Sequence, residues 1–482
     1  MTSCHPLRRR LALAMIVFLC AGLSACGLRG GNDPNTITVL AVQDPFFYGL
    51  QKLLPEFEKE TGIRVRLEGV DYNTLNARST NSFLTRQSDI DVISPDSMWL
   101  SRFVNSGWLE DLTPLIRRDR HEVRPDDFIP GAVHSLSEWK GGIYTLPVAA
   151  YGTVVLYRPD VFNELGLPMP PAKPSPEWTW DAYLETIKAI DGKTVNGQRM
   201  YGTVVAGSGP QPVLHMYSQV AASKGVRWFA SFPDSQRWDF TPQLDSPENL
   251  EALTYFRELY RHSPPESINY LWFDAGTAFS TGKVGMFYWW TPYAYLVRKS
   301  SYMGTKDSAV VGKYAVAALP QEPGKEQVSN VGGYAFGISS YSEKKAAAWT
   351  FVKWASSAET QKKMALLPGH QFADFARRSL YSDPELLKVY DYLPTQLSVL
   401  EKGDGKVARP PIPNYTTLEG DYGQALNQML AGELTPQETA EQVQAKVIEI
   451  LRNEHYLPWR QPSYADTVES TTRLLERLGR PE

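Results

Sequence analysis

Two periods of apolar and polar residues follow one another after position 35, which predicts strands that alternate with helices. Residues 36–42 form an apolar, β-branched run that is typical of a buried strand. Apolar side chains then recur at helical spacing over about 47–60, and we expect Gly62 to end that helix. Residues 63–68 alternate between apolar and charged, which predicts a second strand. Because one helix joins these strands within about thirty residues, we expect a βαβ unit with parallel pairing.

Further elements are indicated downstream. Residues 90–94 predict a third strand. A long β-like run over 145–157 is interrupted by Gly152, and we expect it to cross from one lobe of the protein to another. The tail after about 458 has a helical pattern. Capping residues indicate four helix starts, at Thr179, Ser246, Asp383 and Thr435.

The beginning of the chain has the pattern of an export signal. Three arginines at 8–10 precede an apolar run over 11–19 that is too short to span a bilayer. The sequence Leu-Ser-Ala-Cys that ends at Cys26 resembles the bacterial lipobox, which is cut before its cysteine and carries a lipid on that thiol. We therefore expect a lipoprotein signal peptide over 1–25, a flexible tether over 26–35, and an extracytoplasmic protein anchored to a membrane through Cys26. The alternative is an ordinary cleaved signal in which Cys26 is incidental.

Cysteine and charge counts narrow the class of protein. Cys4 and Cys20 lie inside the predicted signal, so the mature chain keeps Cys26 alone and has no internal disulfide. The net charge of −4 becomes −7 once the three signal arginines are removed, which argues against a nucleic-acid partner and a basic membrane-binding face. Aromatic residues make up 12% of the chain, and Tyr and Trp serve well as exposed binding platforms.

A search for catalytic motifs finds none. The chain has no Gly-x-Ser-x-Gly, no His-Glu-x-x-His and no Walker-type loop. Its seven histidines lack metal-ligand spacing, and nothing in the sequence pairs two acidic residues as a glycosidase needs. We therefore expect no catalytic residues, no metal and no cofactor.

Six segments that follow one another along the chain carry a family resemblance. The most characteristic is Gly332–Ser339, which leads into Ala346–Trp354. The other five are Leu54–Val65, Asp91–Thr113, Leu146–Leu167, Trp178–Asp181 and Gly282–Met286. Together with the lipobox, these segments resemble the extracellular solute-binding proteins of bacterial ABC importers, family 1, the branch that contains maltose-binding protein.

The resemblance implies an α/β fold of the type II periplasmic-binding-protein class. In that fold two lobes, each a β-sheet flanked by helices, are joined by hinge strands and enclose a ligand cleft. The implied first lobe is 36–149 plus 331–375, and the implied second lobe is 150–330 plus 376–482. Ligand would close the lobes by a hinge motion. The resemblance also implies a monomer that delivers its ligand to an ABC transporter membrane permease.

Ligands of open α/β sheets lie beyond the carboxyl ends of the strands, which directs attention to the loops there. Gln43 and Asp44 follow the first predicted strand, and Asp96, Ser97 and Trp99 follow the third. A carboxylate accepts two sugar hydroxyls, and a tryptophan face stacks on the C–H face of a sugar ring. The alternatives are a helix N-cap for Asp96 and a core position for Trp99.

Aromatic residues near the predicted crossings supply further candidates. Trp289, Trp290 and Tyr293 form a cluster, and the family resemblance implies an aromatic near this place that stacks on the ligand. We expect at least one of the two tryptophans to face the cleft; the alternative is a purely structural cluster. Tyr151 at the first crossing and Tyr334 at the second are also expected to contact the ligand.

Two later stretches complete the candidate site. The glycine-containing loop 207–212 lacks the spacing of a phosphate loop, and we expect Gln211 or His215 to donate a hydrogen bond into the cleft. A plain surface turn is the alternative for that loop. Tyr415 and Glu419 are candidates from the last third of the chain.

Hydrogen bonding combined with aromatic stacking suits a neutral polyhydroxyl ligand. The predicted function is therefore capture of a sugar or oligosaccharide and its delivery to an ABC permease. One alternative keeps the fold and binds a polyamine, a metal chelate or a phosphodiester, and Asp44 and Asp96 leave the cationic case open. Others are an extracytoplasmic glycan-processing enzyme and a sensor subunit.

Overall fold

The computed structural model describes residues 35–232, 238–298, 308–325, 327–369, 372–453, 460–461 and 470–480. The predicted signal peptide, most of the tether and Cys26 therefore lie outside the described residues. The strands are β1 (Thr36–Val42), β2 (Arg64–Val70), β3 (Val92–Ile93), β4 (Glu138–Trp139), β5 (Gly142–Ile143), β6 (Thr145–Tyr151), β7 (Thr153–Tyr157), β8 (Thr194–Val195), β9 (Gln198–Arg199), β10 (Phe229–Ser231), β11 (Trp238–Pro242), β12 (Met286–Trp290), β13 (Ala315–Ala317), β14 (Gly332–Ile338) and β15 (Arg460–Gln461).

The helices are α1 (Pro45–Thr61), α2 (Tyr72–Leu84), α3 (Ser97–Asn105), α4 (Thr113–Arg118), α5 (Arg120–Val123), α6 (Pro130–Leu136), α7 (Pro159–Leu165), α8 (Trp180–Ile190), α9 (Gln211–Lys224), α10 (Pro247–Arg261), α11 (Asp274–Ser280), α12 (Tyr293–Leu296), α13 (Lys345–Ala355), α14 (Ala358–Leu366), α15 (Pro384–Val389), α16 (Leu393–Glu401), α17 (Gly405–Ala408), α18 (Tyr415–Ala431), α19 (Pro436–Asn453) and α20 (Thr471–Gly479). Short 3-10 segments cover Pro125–Asp127, Pro265–Asn269 and Arg378–Ser382. No helix in the described ranges combines the length and the apolarity that crossing a bilayer requires.

The first sheet has five strands in the order β2-β1-β3-β14-β6. β1 is parallel to both β2 and β3, and β14 runs antiparallel to β3 and β6. The predicted βαβ unit is confirmed, with β1 at the expected residues. α1 covers 45–61 and buries its apolar face, and Gly62 ends it in the left-handed region at φ 70°, where a residue without Cβ is favoured.

The second sheet has three strands in the order β12-β7-β13, all antiparallel. The chain passes to it directly from the first sheet, because Gly152 alone separates β6 from β7. Tyr151 pairs with Gly332 in the first sheet, and Thr153 pairs with Trp290 in the second. The predicted crossing within 145–157 is therefore confirmed, and the chain returns to the first sheet between β13 and β14.

The predicted helix starts are also confirmed. The side chains of Thr179, Ser246 and Asp383 accept hydrogen bonds from backbone N–H groups in the first turns of α8, α10 and α15. Thr435 and Glu438 form the reciprocal capping box before α19, since each side chain accepts from the other's backbone N–H.

Part of the C-terminal region contacts the half of the molecule built on the first sheet. Arg377 Nη1 donates to the carbonyls of Val123 and Arg124 at 2.7 and 2.9 Å. α20 packs three buried leucines against α6 and the 3-10 turn before it, and α6 itself packs on β6 and β14. These contacts favour counting Arg377 and residues 471–479 with the first lobe, although the sequence analysis assigned them to the second. The lobe boundaries as a whole remain a prediction.

Candidate functional site

A cavity of about 510 Å³ lies where the edges of the two sheets meet, within the usual volume range of small-molecule sites. We call its two sides the first wall and the second wall. The first wall comprises the lining residues 42–45, 48, 71–73, 96, 151 and 332–334. The second wall comprises the lining residues 209–212, 215, 271–273, 290, 292–293, 296 and 409.

The first wall is built from one edge of the five-stranded sheet. β1, β2, β3 and β6 all point their carboxyl ends to this edge, and antiparallel β14 begins there. Gln43 and Asp44 follow β1, Tyr72 follows β2, and Asp96 follows β3. The first wall therefore lies beyond the carboxyl ends of the strands, where ligands of open α/β sheets bind. We call this the strand-end rule.

Three helices begin at the first wall, and an aspartate is the N-cap of each. Asp71 accepts a hydrogen bond from Thr74 N at 3.0 Å, and Asp96 accepts one from Met98 N at 2.9 Å. Asp44 makes no such cap bond; it accepts from the Tyr151 hydroxyl at 2.9 Å instead. Asp96 therefore caps α3, as the alternative interpretation predicted, and it also lines the cavity, so that its contact with a ligand stays a prediction.

Burial changes the charge of two carboxyl groups near the first wall. It raises the pKa of Asp44 to about 6, against the opposing effect of the Tyr151 hydrogen bond. Asp374 lies behind the wall and accepts hydrogen bonds from Thr291 Oγ1 at 2.5 Å, Tyr295 Oη at 2.6 Å and Gln396 Nε2 at 3.0 Å. Burial raises the pKa of Asp374 to about 7, so its carboxyl is partly protonated at neutral pH.

Arg409 is the cationic side chain of the second wall, and only 1% of it is exposed. Its Nε donates to Asn330 Oδ1 and its Nη2 to the Val331 carbonyl, each at 3.3 Å, and its Nη1 lies 3.4 Å from the His215 ring nitrogens. The guanidinium lies over the Trp290 ring at 5.3 Å, a cation–π arrangement.

His215 is neutral in this setting. Burial and the Arg409 charge hold the pKa of His215 well below its usual range. His215 Nε2 lies 2.7 Å from Glu419 Oε1, and burial raises the pKa of Glu419 to about 7. This pair therefore braces the second wall from behind without adding a cation to the cavity.

A direct contact joins the two walls. Gln211 Nε2, at the start of α9, donates to Asn73 Oδ1 across the cavity at 3.4 Å. Because these residues belong to opposite walls, the structure has the two halves of the molecule in contact at the cavity mouth.

Nine of the fourteen residues predicted to contact a ligand line this cavity. They are Gln43, Asp44, Asp96, Tyr151, Gln211, His215, Trp290, Tyr293 and Tyr334. The expectation that at least one of the two tryptophans faces the cleft is met by Trp290. Whether these residues bind a ligand remains a prediction.

Five predicted residues do not line the cavity, which corrects their assignment as direct contacts. Trp99 is buried against Tyr72 and Phe103, so the core alternative describes it. Trp289 is 1% exposed and donates to the Trp272 carbonyl at 3.2 Å.

The other three corrections have similar reasons. Ser97 is buried and donates to Asp96. Tyr415 packs on Trp228 in the core. Glu419 supports His215 from behind, as described above.

The sequence analysis did not predict several of the residues that line the cavity. Tyr72 and Asn73 follow β2, so the strand-end rule applied to the second strand would have found them. Trp272, Phe273 and Arg409 lie in irregular segments, where no local pattern distinguishes them from surface residues. In the described part of the chain, no group of three or more His, Cys, Asp or Glu side chains is arranged to hold a metal ion.

Two α/β halves, joined by direct strand crossings and enclosing a cavity at their sheet edges, define the class of periplasmic binding proteins. The model of the bacterial extracellular solute-binding protein family matches residues 41–362. The chain belongs to this family.

Similar proteins of known structure or name are consistent with that membership. An ABC transporter solute-binding protein from Agrobacterium radiobacter, solved with ribitol, is 30% identical, with a TM-score of 0.75 over 86% of this chain and 98% of that one. The mannitol-binding protein of Pseudomonas aeruginosa is 25% identical over 83% of this chain and 89% of its own length. A probable amino-acid ABC transporter periplasmic-binding protein of Sinorhizobium fredii is 25% identical over 92% of this chain and 97% of its own length.

Proposed function

We propose that this protein is the substrate-binding component of an ABC importer and captures a polyol or sugar in the cavity between its two walls. The observation that carries the proposal is the pairing of carboxylates with aromatic faces across one cavity. Asp44 and Asp96 stand on the first wall, and Trp290 and Trp272 stand on the second.

The chemistry of these groups suits a chain or ring of hydroxyl groups. A carboxylate accepts two hydroxyl hydrogen bonds, and such charge-assisted bonds are stronger than neutral ones. An aromatic face covers the C–H side of the same ligand. The Tyr72 hydroxyl is buried and has no hydrogen-bond partner among the described residues, which adds a further group for a ligand to satisfy.

The relatives narrow the ligand class. The Agrobacterium radiobacter relative was solved with ribitol, and the Pseudomonas aeruginosa relative is named for mannitol. Linear polyols are therefore the first ligands to test. The predicted oligosaccharide is the less favoured form, because a cavity of about 510 Å³ suits a single drug-sized or smaller molecule.

Ligand capture would work by closure about the strand crossings at Gly152 and between β13 and β14. Ligand contacts both walls only when they are together, so it stabilises the closed arrangement. We propose the first lobe as 36–149 plus 331–375, joined by Arg377 and by residues 471–479 on the contacts of Arg377 and α20. The second lobe is 150–330 with the remainder of 376–482.

The location and partners follow the sequence expectations. The protein is extracytoplasmic, a monomer, anchored through a lipid on Cys26, and its closed form docks on a membrane permease. A Cys26→Ala variant should lose the lipid, which incorporation of a labelled fatty acid measures in wild type and variant. Equal labelling of the two would contradict the anchor.

Binding without conversion is tested by calorimetry and by recovery of the ligand. Ribitol, mannitol, erythritol, glucose and maltose are titrated, and each is recovered and compared by NMR. At 100 times its dissociation constant, a ligand should add about 2.7 kcal/mol to the free energy of unfolding. A recovered ligand that has changed chemically would favour the glycan-processing alternative.

A matched pair of variants tests the site. Trp290 and Trp108 are each 7% exposed, but only Trp290 lines the cavity. Trp290→Ala should weaken binding by about 30-fold or more, as truncation of an aromatic anchor does. Trp108→Ala should lower stability and leave the dissociation constant unchanged. Equal binding by wild type and Trp290→Ala would remove this cavity as the ligand site.

A further inference from the structure

The helices that begin at the two walls differ in whether an acidic residue caps their N-termini. α1, α2 and α3 begin at the first wall, and each is preceded by an aspartate that offsets the positive end of the helix. α9 begins at the second wall with Pro210 at its N-cap, no side-chain cap and no acidic residue in its first turn. Gly209, Pro210 and Gln211 line the cavity there. The positive end of this fourteen-residue helix therefore reaches the cavity without an acidic residue in its own first turn, and the nearest carboxyl, that of Glu419, is hydrogen-bonded to the side chains of Gln211 and His215.

Arg409 adds a full positive charge to the same wall. Its hydrogen-bond partners are an amide oxygen, a backbone carbonyl and the neutral His215 ring, and its ring contact is Trp290. Among the described residues, no carboxylate oxygen lies within ion-pair distance of its guanidinium. A guanidinium has five N–H donors, so these partners leave two donors without an acceptor.

Such a group points to an anionic ligand atom. Removing a guanidinium from water without a charged partner is costly, and a carboxylate in bidentate geometry is the partner that best offsets this cost. Arg409 lines the cavity, so a ligand can reach it. Asp96 and Glu419 are the nearby acids. Neither lies within ion-pair distance of the guanidinium, although the charge of Arg409 opposes the rise in the pKa of Glu419.

We propose that the preferred ligand is a polyhydroxy carboxylic acid, with its carboxylate on Arg409 and the start of α9 and its hydroxyls on Asp44 and Asp96. This inference rests on the proposed function and refines it, because the ligand keeps the hydroxyl chain of a polyol and gains one acidic end.

The charges of the lining residues favour a ligand that carries a single negative charge. Arg409 is its one cationic lining residue within the described chain, since no lysine lines it and His215 is neutral. The first wall opposes it with Asp44, Asp71 and Asp96. A doubly charged phosphate ester would meet more repulsion there than a carboxylate does, so we favour the carboxylate.

The test compares ligands that differ only at one end. Gluconate is paired with glucitol, mannonate with mannitol and ribonate with ribitol, and calorimetry gives each dissociation constant at pH 7.5. Glutamine and glycerol 3-phosphate serve as the amino-acid and phosphate arms. We expect at least one acid to bind about 10-fold or more tightly than its own alditol, which corresponds to about 1.4 kcal/mol.

Two variants test whether the preference for the acid depends on the second wall. Arg409→Gln removes the charge, and Gln211→Glu places an acid in the first turn of α9. Each should weaken binding of the acid by about 10-fold and of the alditol by less than about 3-fold. Gln211→Ala is the control for loss of the Asn73 and Glu419 contacts of Gln211 and should affect both ligands equally.

The outcomes separate this inference from the proposed function. Alditols that bind as tightly as their acids, or variants that weaken both equally, would overturn the acid preference and leave polyol binding in place. Binding of glutamine or glycerol 3-phosphate in preference to the hydroxy acids would also overturn it. If no polyol, sugar or hydroxy acid binds at all, the proposed function itself fails.

Discussion

The two walls of the cavity are assembled in different ways. The first wall consists mostly of short segments that follow strand ends of one sheet, so its position follows from the order of strands and the direction of each. The second wall collects the start of α9, the segment 271–273, the end of β12 and Arg409. These segments are separated by long stretches of chain, and packing alone brings them together.

The difference in construction goes with a difference in charge. Aspartates that cap helices give the first wall acceptors for hydroxyl groups. The uncapped α9 and the buried Arg409 give the second wall donors. A ligand held between them therefore meets acceptors at one side and donors at the other, which fixes its direction in the cavity as well as its position.

The largest expected effect is a difference in stability loss between variants of Trp289 and Trp290. These neighbours in β12 point their side chains to opposite faces of the strand. Trp289 is in the core and Trp290 is at the cavity surface. Trp289→Ala should lower the free energy of unfolding by about 3–5 kcal/mol, and Trp290→Ala by less, because open space already borders it. Urea unfolding of both variants measures this. Equal losses would mean that the second wall is as tightly packed as the core.

The second prediction concerns Asp374, which is buried behind the first wall. Its pKa is about 7 in the folded protein and 3.8 as the reference value, so the folded state retains a proton that the unfolded state has released. This group's contribution to stability therefore falls as pH rises from about 4 to about 7, by on the order of 4 kcal/mol. Asp374→Asn should remove that part of the pH dependence. Unfolding curves measured from pH 4 to 8 should differ in slope between wild type and variant, and parallel curves would contradict the prediction.

A third prediction separates the two roles of Asp96. Asparagine caps a helix about as well as aspartate, so Asp96→Asn should leave the free energy of unfolding within about 0.5 kcal/mol of wild type. Loss of the carboxylate should weaken ligand binding by about 10-fold. Asp96→Ala should lose the cap as well, at a further cost of about 1 kcal/mol in stability. Unchanged ligand affinity in Asp96→Asn would mean that Asp96 acts only as a helix cap.

The smallest effect is expected at Tyr72 of the first wall. Its hydroxyl has no partner among the described residues, so Tyr72→Phe should change the free energy of unfolding by less than about 0.5 kcal/mol. If the hydroxyl contacts the ligand, affinity should fall by about 3- to 10-fold. Calorimetry alongside thermal unfolding measures both, and wild-type affinity in the variant would place the ligand away from β2.

Much of this architecture could be predicted before the structure was known. β1 and its parallel partner, the helix stop at Gly62 and the crossing at Gly152 all depend on residues close together in the chain. Five of the nine predicted residues that line the cavity follow strand ends or lie at strand crossings, which are local features. The other four line the second wall and were predicted from the aromatic cluster and the glycine-containing loop. Trp99 and Trp289 were misplaced although they lie in regular elements, α3 and β12. Sequence alone does not say which face of a helix or strand packs into the core when both faces carry apolar residues.

The sequence by itself determined the order of elements, the helix ends and the wall that follows the strands, because hydrophobic period and capping act over a few residues. Only the tertiary structure decided how the segments of the second wall come together around Arg409. Arg409 meets His215 and Trp290 across long stretches of chain, and its lack of a carboxylate partner depends on everything packed around it. The raised pKa values of Asp44 and Asp374 have the same origin, since burial is a property of the folded molecule.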